Sequence, residues 1–309
     1  MTALTTDRRR PPARPVWEEP PGVFGQLGKG TVLAIIGVVV VVPLYVVLIT
    51  SLSSQKAIDS AGGLVIVPRG LSIRAYREIL SGGVVTRALL VSVGITAVGT
   101  AISVILTLLA AYGLSRPGSY AHRTLLMIVL LTFLFGPGLI PSYLVVLHLG
   151  LLNSYWSLIL PTAISAFNLV VLRAFFMNIP RELLESARID GAGELRILTS
   201  IALPLSKAVV AVVALFAGVG YWNAFFNALL YINDNSKWPL QLVLRAYVLQ
   251  GQAIPGTTGV DTSSLGSGPI PTLAIKMAVV AIATIPVLLV YPFVQRHFTK
   301  GVIIGAIKG

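Results

Sequence analysis

The run "GYWNAFFNALLY" at residues 220–231 sets two amides and two aromatic rings at intervals of four: Asn223 with Asn227, and Trp222 with Phe226. On a helix each pair shares a face. Aromatic faces stack on the C–H surface of a sugar ring and amides bond its hydroxyls, so the run has the chemistry of a sugar path. Ser165 and Asn168, three residues apart, offer weaker examples of the same polar chemistry. A structural reading competes with this one, because asparagines also join apolar helices and aromatic rings gather at membrane interfaces.

A second set of polar groups lies at 185–204, "ESARIDGAGELRILTSIALP". Glu185, Arg188 and Asp190 alternate there with Ala187 and Ile189, a pattern suited to docking a protein rather than to bond chemistry. Catalysis would need a nucleophile with its base, a carboxylate pair or a metal cluster, and the sequence offers none at membrane depth. It has no cysteine, and its three histidines, His122, His148 and His297, are far apart. "GQLGKGT" at 25–31 imitates a phosphate-binding loop, but its first glycine is misplaced and Gly30 stands where Ser or Thr is needed. The expectation is a chain that is not an enzyme, with no metal, no cofactor and no nucleotide of its own.

The elements that position these groups follow from composition. Of 309 residues, 55% are hydrophobic and 11% charged, with a mean hydropathy of +0.87. A soluble domain carries about 25% charged residues, so the surface of this one must face lipid. The formal charge of +12 is spread between apolar stretches, which argues against nucleic acid as a partner.

A helix crosses the hydrocarbon core with about 20 apolar residues. Stretches at 32–50, 88–114, 124–147, 155–177, 208–232 and 272–294 qualify. The expected fold is therefore all-α and integral to the membrane, with six spans in the domain 32–294. Residues 1–31 and 295–309 form tails. With the N-terminus inside, fourteen Lys and Arg lie on the cytoplasmic side and seven outside, which places both ends in the cytoplasm. Arg173 and Lys276 sit near helix ends, where snorkelling accounts for them. An ion-gradient-driven secondary transporter, the alternative, would place ionisable groups near mid-membrane.

Pro137 and Pro141 in "FLFGPGLIPSY" predict a break in the third span near Gly136. Short helices are expected outside the membrane at "LSIRAYREIL" and "PLQLVLRAYVLQ". The loop 233–271 ends in a Gly/Ser/Thr-rich run whose composition cannot build a core. In the segment 180–204, Pro180 suits a first helical position, and Glu182 and Glu185 suit the positive helix N-terminus. Gly191 is placed to end the helix in the left-handed conformation. A second short helix, "ELRILTSIAL", is expected to stop at Pro204.

This segment resembles the EAA signature of ATP-binding-cassette importer membrane subunits. Glu185, Ser186 and Ala187 are followed by Gly191 and then by Ile201, Leu203 and Pro204, at the family's spacing. Ser186 departs from the usual alanine but is small. Nearly the whole chain is similar to the MalG-type permease of carbohydrate importers. "GLIPSYLVVLHLGLLNSYWSLILP" and "YWNAFFNALLYIND" resemble the branch that serves oligosaccharides from complex polysaccharides. That resemblance implies an importer permease fold in a bacterial plasma membrane. It also implies a coupling helix carrying Glu185, Ala187, Asp190 and Gly191 against a separate ATPase subunit dimer. A second permease subunit, completing the pathway, and an extracytoplasmic sugar-binding protein are the other partners implied, with lipid around the spans.

Overall fold

A computed structural model describes residues 22–306, apart from 82, 117, 119–120 and 250–271. The Gly/Ser-rich run and most of the N-terminal tail therefore lie outside the described residues. Regular structure among the described residues is helical, with one isolated bridge between Ser53 and Leu71.

Two compact units divide between Val46 and Val47. The first contains α1 (Val23–Ser51) as far as Val46; the helix begins inside the expected tail, its residues from 23 to 45 are exposed, and its last five residues belong to the second unit. This is a helix apolar on every side, as lipid contact requires.

After the end of α1, the second unit continues with a folded connecting segment carrying α2 (Gln55–Ser60) and α3 (Arg74–Leu80). Thr50 Oγ1 accepts from the amide of Val65 at 3.0 Å, and the Ser51 and Tyr76 hydroxyls lie 2.7 Å apart. Then comes α4 (Val84–Ser115), which at 32 residues is about 48 Å long. Its buried stripe runs through Val85, Ala88, Ser92, Ile95, Gly99, Ser103, Thr107 and Ala111. The spacing of three and four is one helix face, and the small side chains let neighbouring backbones approach closely.

The third expected span is two helices, α5 (His122–Leu134) and α6 (Leu139–His148). Gly138 between them has φ +80°, so the break falls where the glycines and prolines predict. The fourth consists of α7 (Trp156–Ile159), a 3-10 turn through Pro161, and α8 (Ala166–Met177), bent by 48°. After it come α9 (Arg181–Ile189), α10 (Glu194–Ile197), a π-helical stretch Leu198–Ala202, and α11 (Leu203–Leu205). Next are α12 (Lys207–Trp222), α13 (Phe225–Tyr231), α14 (Leu240–Leu244) and α15 (Thr272–Ala306). Helix α15 continues through most of the expected C-terminal tail.

Among the described residues, three stretches are continuous helices long and apolar enough to cross a membrane: α1, α4 and Leu273–Val290 of α15. The other three expected spans are broken or bent, so the count of six rests on composition rather than on unbroken helices.

The expectation of one helix over 208–232 is corrected. Helix α12 ends at Trp222, and the amide of Phe225 bonds the carbonyl of Asn223 at 2.8 Å. Ala224, at φ −74° and ψ 69°, sits in an inverse γ-turn. The i,i+4 pairing of Asn223 with Asn227, and of Trp222 with Phe226, therefore does not form.

Two further points concern prolines. Pro180 is the residue before α9 rather than its first turn. Pro204 lies within α11, and the helical run Glu194–Leu205 ends one residue beyond it, at an 87° bend before α12, close to the expected stop. A proline in a helix collides with the carbonyl four residues back, and the wider π stretch immediately before it relieves that crowding.

Helix α4 packs against α8 and α12 along its length, and α12 packs against α15. Arg173, expected to reach headgroups, donates its Nε–H to the carbonyl of Leu114 at the end of α4, at 2.8 Å. Trp222 is 5% exposed, and its indole N–H donates to the carbonyl of Ala283 at 3.0 Å, joining α12 to α15. Trp222→Phe removes that donor at a cost of about 1 kcal/mol. The expected result is an apparent melting temperature in detergent lowered by a few degrees, read by a thermal-shift assay.

Candidate functional site: a polar cavity and a capped surface helix

A cavity of about 380 Å³ opens between α4, α8, α12 and α13. Seven of its lining residues carry a hydroxyl or an amide: Ser103, Thr107, Thr162, Ser165, Asn168, Tyr221 and Asn227. Phe167 and Phe216 add aromatic rings, and no residue lining it is charged. In a chain this apolar, such a concentration of neutral polar groups around a hollow is the chemistry that bonds hydroxyls.

Local structure explains how each group reaches it. Ser165 is the N-cap of α8, and its Oγ accepts from the amide of Asn168 at 3.4 Å. The cap thus fixes both residues at the start of the helix beyond the bend. Ser103 donates to the carbonyl of Ala163 at 2.6 Å and lies 3.1 Å from the hydroxyl of Tyr221, which donates in turn to the carbonyl of Ile159 at 3.1 Å. This network ties α4, the bent fourth segment and α12 together around the hollow.

Of the six residues singled out for a sugar path, the structure brings three to the cavity: Ser165, Asn168 and Asn227. Trp222 faces α15, while Asn223 and Phe226 are exposed and do not line the cavity. The γ-turn is the reason, since it breaks the helical register between residues 222 and 227. Sequence reading missed Ser103, Thr107, Thr162 and Tyr221. The first two recur at four-residue spacing on the stripe of α4, a usable signal for one polar face.

The segment 180–204 forms the second feature. Helix α9 buries Leu184 and half-buries Ala187 against Leu172, Phe176 and Ile197. Glu185, Ser186, Asp190 and Gly191 are exposed, and so is Ile189 at 87%. Ile201 is half-buried against the same cluster, Leu203 is half-buried and Pro204 exposed. Gly191 adopts φ +77°. The amide of Ala192 reaches the carbonyl of Ala187 at 2.9 Å, and that of Gly191 the carbonyl of Arg188 at 3.0 Å. These two bonds make a complete Schellman turn, as the glycine predicts.

Glu194, which sequence reading did not single out, gathers four contacts beyond that turn. Its Oε1 accepts from Arg188 Nη2 at 2.7 Å and Nε at 3.1 Å. Its Oε2 accepts from the Tyr112 hydroxyl at 2.7 Å and lies 3.6 Å from Arg116 Nη2. Chiefly through the Tyr112 hydrogen bond, its carboxyl is held below the usual value, with the two arginines adding to the effect. A lowered value means the contribution is present at neutral pH and fades only as pH falls below the ordinary carboxylate range. Because Glu194 is 54% exposed, its pair with Arg188 is worth only ~0–1 kcal/mol. Burying Leu184 and Ile197 contributes roughly 1.5–3 kcal/mol each. Apolar packing therefore holds the segment in place, and the ionic contacts set its angle.

A family model described as "Binding-protein-dependent transport system inner membrane component" matches residues 103–304, which include the cavity residues and the segment 180–204. The chain is 47% identical over 278 residues to the polygalacturonan/rhamnogalacturonan transport system permease protein YtcP of Bacillus subtilis, covering 90% of this chain and 96% of that one. It is 43% identical over 274 residues to Protein LplC of the same organism, covering 89% and 91%. Among solved structures, a bacterial ABC transporter involved in the import of the acidic polysaccharide alginate superposes with a TM-score of 0.81. Identity there is 27%, covering 89% of this chain and 96% of that chain.

Proposed function

The chain belongs to the family of binding-protein-dependent transport system inner membrane components, and from that premise we propose that it is the sugar permease subunit of an ATP-binding-cassette importer. Its cargo is an oligosaccharide of the kind released from acidic polysaccharides, a reading supported by the names of its relatives. The cavity lined by Ser165, Asn168, Asn227 and Tyr221 forms this chain's share of the pathway, and a second permease subunit supplies the rest.

ATP is hydrolysed by a separate subunit dimer, which receives the exposed face of α9. A sugar-loaded binding protein docks on the opposite, extracytoplasmic side. Closure of the ATPase dimer pushes α9 as a rigid body, and the spans rock to open the cavity to the cytoplasm. The protein sits in the bacterial plasma membrane with both ends inside.

The observation that carries this reading is the exposed face of α9. On α9 and its C-cap, Ile189, at 87% exposed, lies between the exposed Glu185 and Asp190 in sequence while Leu184 is buried, and Leu195 of the following α10 is 72% exposed. A protruding apolar residue ringed by charges is the anatomy of a protein interface. The chain has no cysteine, so Asp190→Cys introduces a single thiol. In membranes holding the assembled importer, a short thiol–amine crosslinker is expected to join that thiol to the ATPase subunit. Failure to capture it would remove the docking assignment.

A further inference from the structure

We propose that Glu194 is a positioning residue, a rivet that fastens the polar loop to the end of α4 and so carries loop movement directly to the cavity wall. The inference rests on the reading of α9 as the face that meets the ATPase.

The geometry divides the two carboxylate oxygens between two elements. Oε1 is held by Arg188 of α9, at 2.7 and 3.1 Å. Oε2 is held by Tyr112 of α4, at 2.7 Å, and faces Arg116 at 3.6 Å. Arg116 also donates to the Tyr112 hydroxyl, and its guanidinium lies 4.2 Å from the centre of the Tyr112 ring. The ring meets Phe176 edge-on at 5.8 Å, which fixes its direction. A charge-assisted bond of this kind is short and directional, so it constrains orientation even where it adds little stability.

Beside the apolar cluster that seats Leu184 and Ile197 against Ala111 and Leu114 of α4, two further routes lead from the loop to the cavity. The covalent one passes through the π stretch Leu198–Ala202 and an 87° bend before α12. A joint of that form absorbs rotation. The other passes through Glu194 into α4, which is an unbroken helix from Arg116's neighbour Ser115 back through the cavity. Thr107 and Ser103, both lining the hollow, lie five and nine residues before Tyr112. At 1.5 Å per residue these are about 7.5 and 13.5 Å along a rigid axis. Thr107 is 2% exposed and Ala111 0%, so this part of α4 is packed on the faces it presents to the protein. The apolar cluster holds the loop against α4 without fixing its direction, and the directional part of the stiff route depends on the carboxylate.

The test uses the whole importer in proteoliposomes, with Glu194→Ala, Tyr112→Phe and the double variant. Tyr112→Phe keeps the ring, its contact with Phe176 and the fold, and removes only the hydroxyl. The expected result is that sugar taken up per ATP hydrolysed falls roughly fivefold or more in each single variant. The double variant falls no further, because both changes break one rivet. Glu194→Gln, whose amide oxygen still accepts from Tyr112, is expected to recover part of the loss.

Crosslinking from Asp190→Cys, measured alongside, separates the two readings. If that crosslink forms in all variants and uptake per ATP is unchanged or falls additively, the rivet is wrong while the docking face stands. If it is lost only in Glu194→Ala, Glu194 belongs to the docking surface and the rivet is again wrong. If it never forms in the otherwise unaltered chain, the docking reading fails first.

Discussion

Gly191→Pro combined with Glu185→Lys is expected to leave the chain in the membrane and to lower sugar uptake by more than tenfold. Gly191 holds φ +77°, far from the value near −65° to which a proline ring is locked. Proline also removes the amide that bonds the Arg188 carbonyl at 3.0 Å. It disfavours the near-helical conformation of Asp190, at φ −73° and ψ 6°, which precedes it. The left-handed conformation alone costs an ordinary residue about 1–2 kcal/mol, and the lost bond adds about 1. Every 1.4 kcal/mol is tenfold in a population, so the Schellman turn gives way. Nothing lies within 4 Å of a Cβ at Gly191, and the effect is therefore on backbone geometry and not on packing. Glu185→Lys reverses a charge on the exposed face without touching the buried one. Uptake by proteoliposomes, with ATP hydrolysis measured in parallel, checks the outcome. Hydrolysis that no longer responds to the loaded binding protein is the expected companion result, and uptake at the unaltered rate would sink the coupling role of α9.

Gly99→Val is expected to abolish uptake through the cavity itself. A Cβ at Gly99 would stand 2.8 Å from Cε2 and Cζ of Tyr221 and 2.9 Å from Cδ2. Three ring atoms are involved, so no small rotation of a flexible tip relieves the contact. The ring is also pinned at its far end, where its hydroxyl meets Ile159 and Ser103 at 3.1 Å. Overpacking of this sort costs roughly 1–3 kcal/mol, and it is relieved only by driving the ring into the hollow or parting α4 from α12. Gly94, on the same helix, has nothing within 4 Å of its would-be Cβ. Gly94→Val is thus the matched control, expected to transport normally. Equal uptake by the Gly99 and Gly94 variants would mean that the cavity is not on the sugar's route.

How far the sequence could be read depended on how local each feature is. Gly191 could be identified as a left-handed cap because the penalty on other residues arises within a few bonds of the Cα. The break at 135–138 was legible for the same reason, with glycine and proline acting on their own backbone. By contrast, the run 220–231 looked like one helix because its apolar residues continue without interruption. The inverse γ-turn at Ala224 has no glycine or proline to announce it. It is set by what the flanking residues must reach: Trp222 bonds Ala283 in α15, while Asn227 lines the cavity. One straight helix carries both side chains at a fixed relative angle, and the turn is what allows each its own target.

Glu194 shows the same limit more plainly. Its main partner, Tyr112, is 82 positions away in sequence, and Arg188 lies across the glycine turn at a separation of six. No periodicity links such residues. From its amino acids alone the chain determined that it is a lipid-embedded set of helices with one polar, glycine-capped surface segment. Solvent preference and backbone sterics are properties each stretch carries wherever it is placed. Which hydroxyls and amides share a cavity, and which carboxylate joins the loop to α4, were decided only by packing. Those contacts join segments far apart in the chain, and their geometry exists only once α4, α8 and α12 lie side by side.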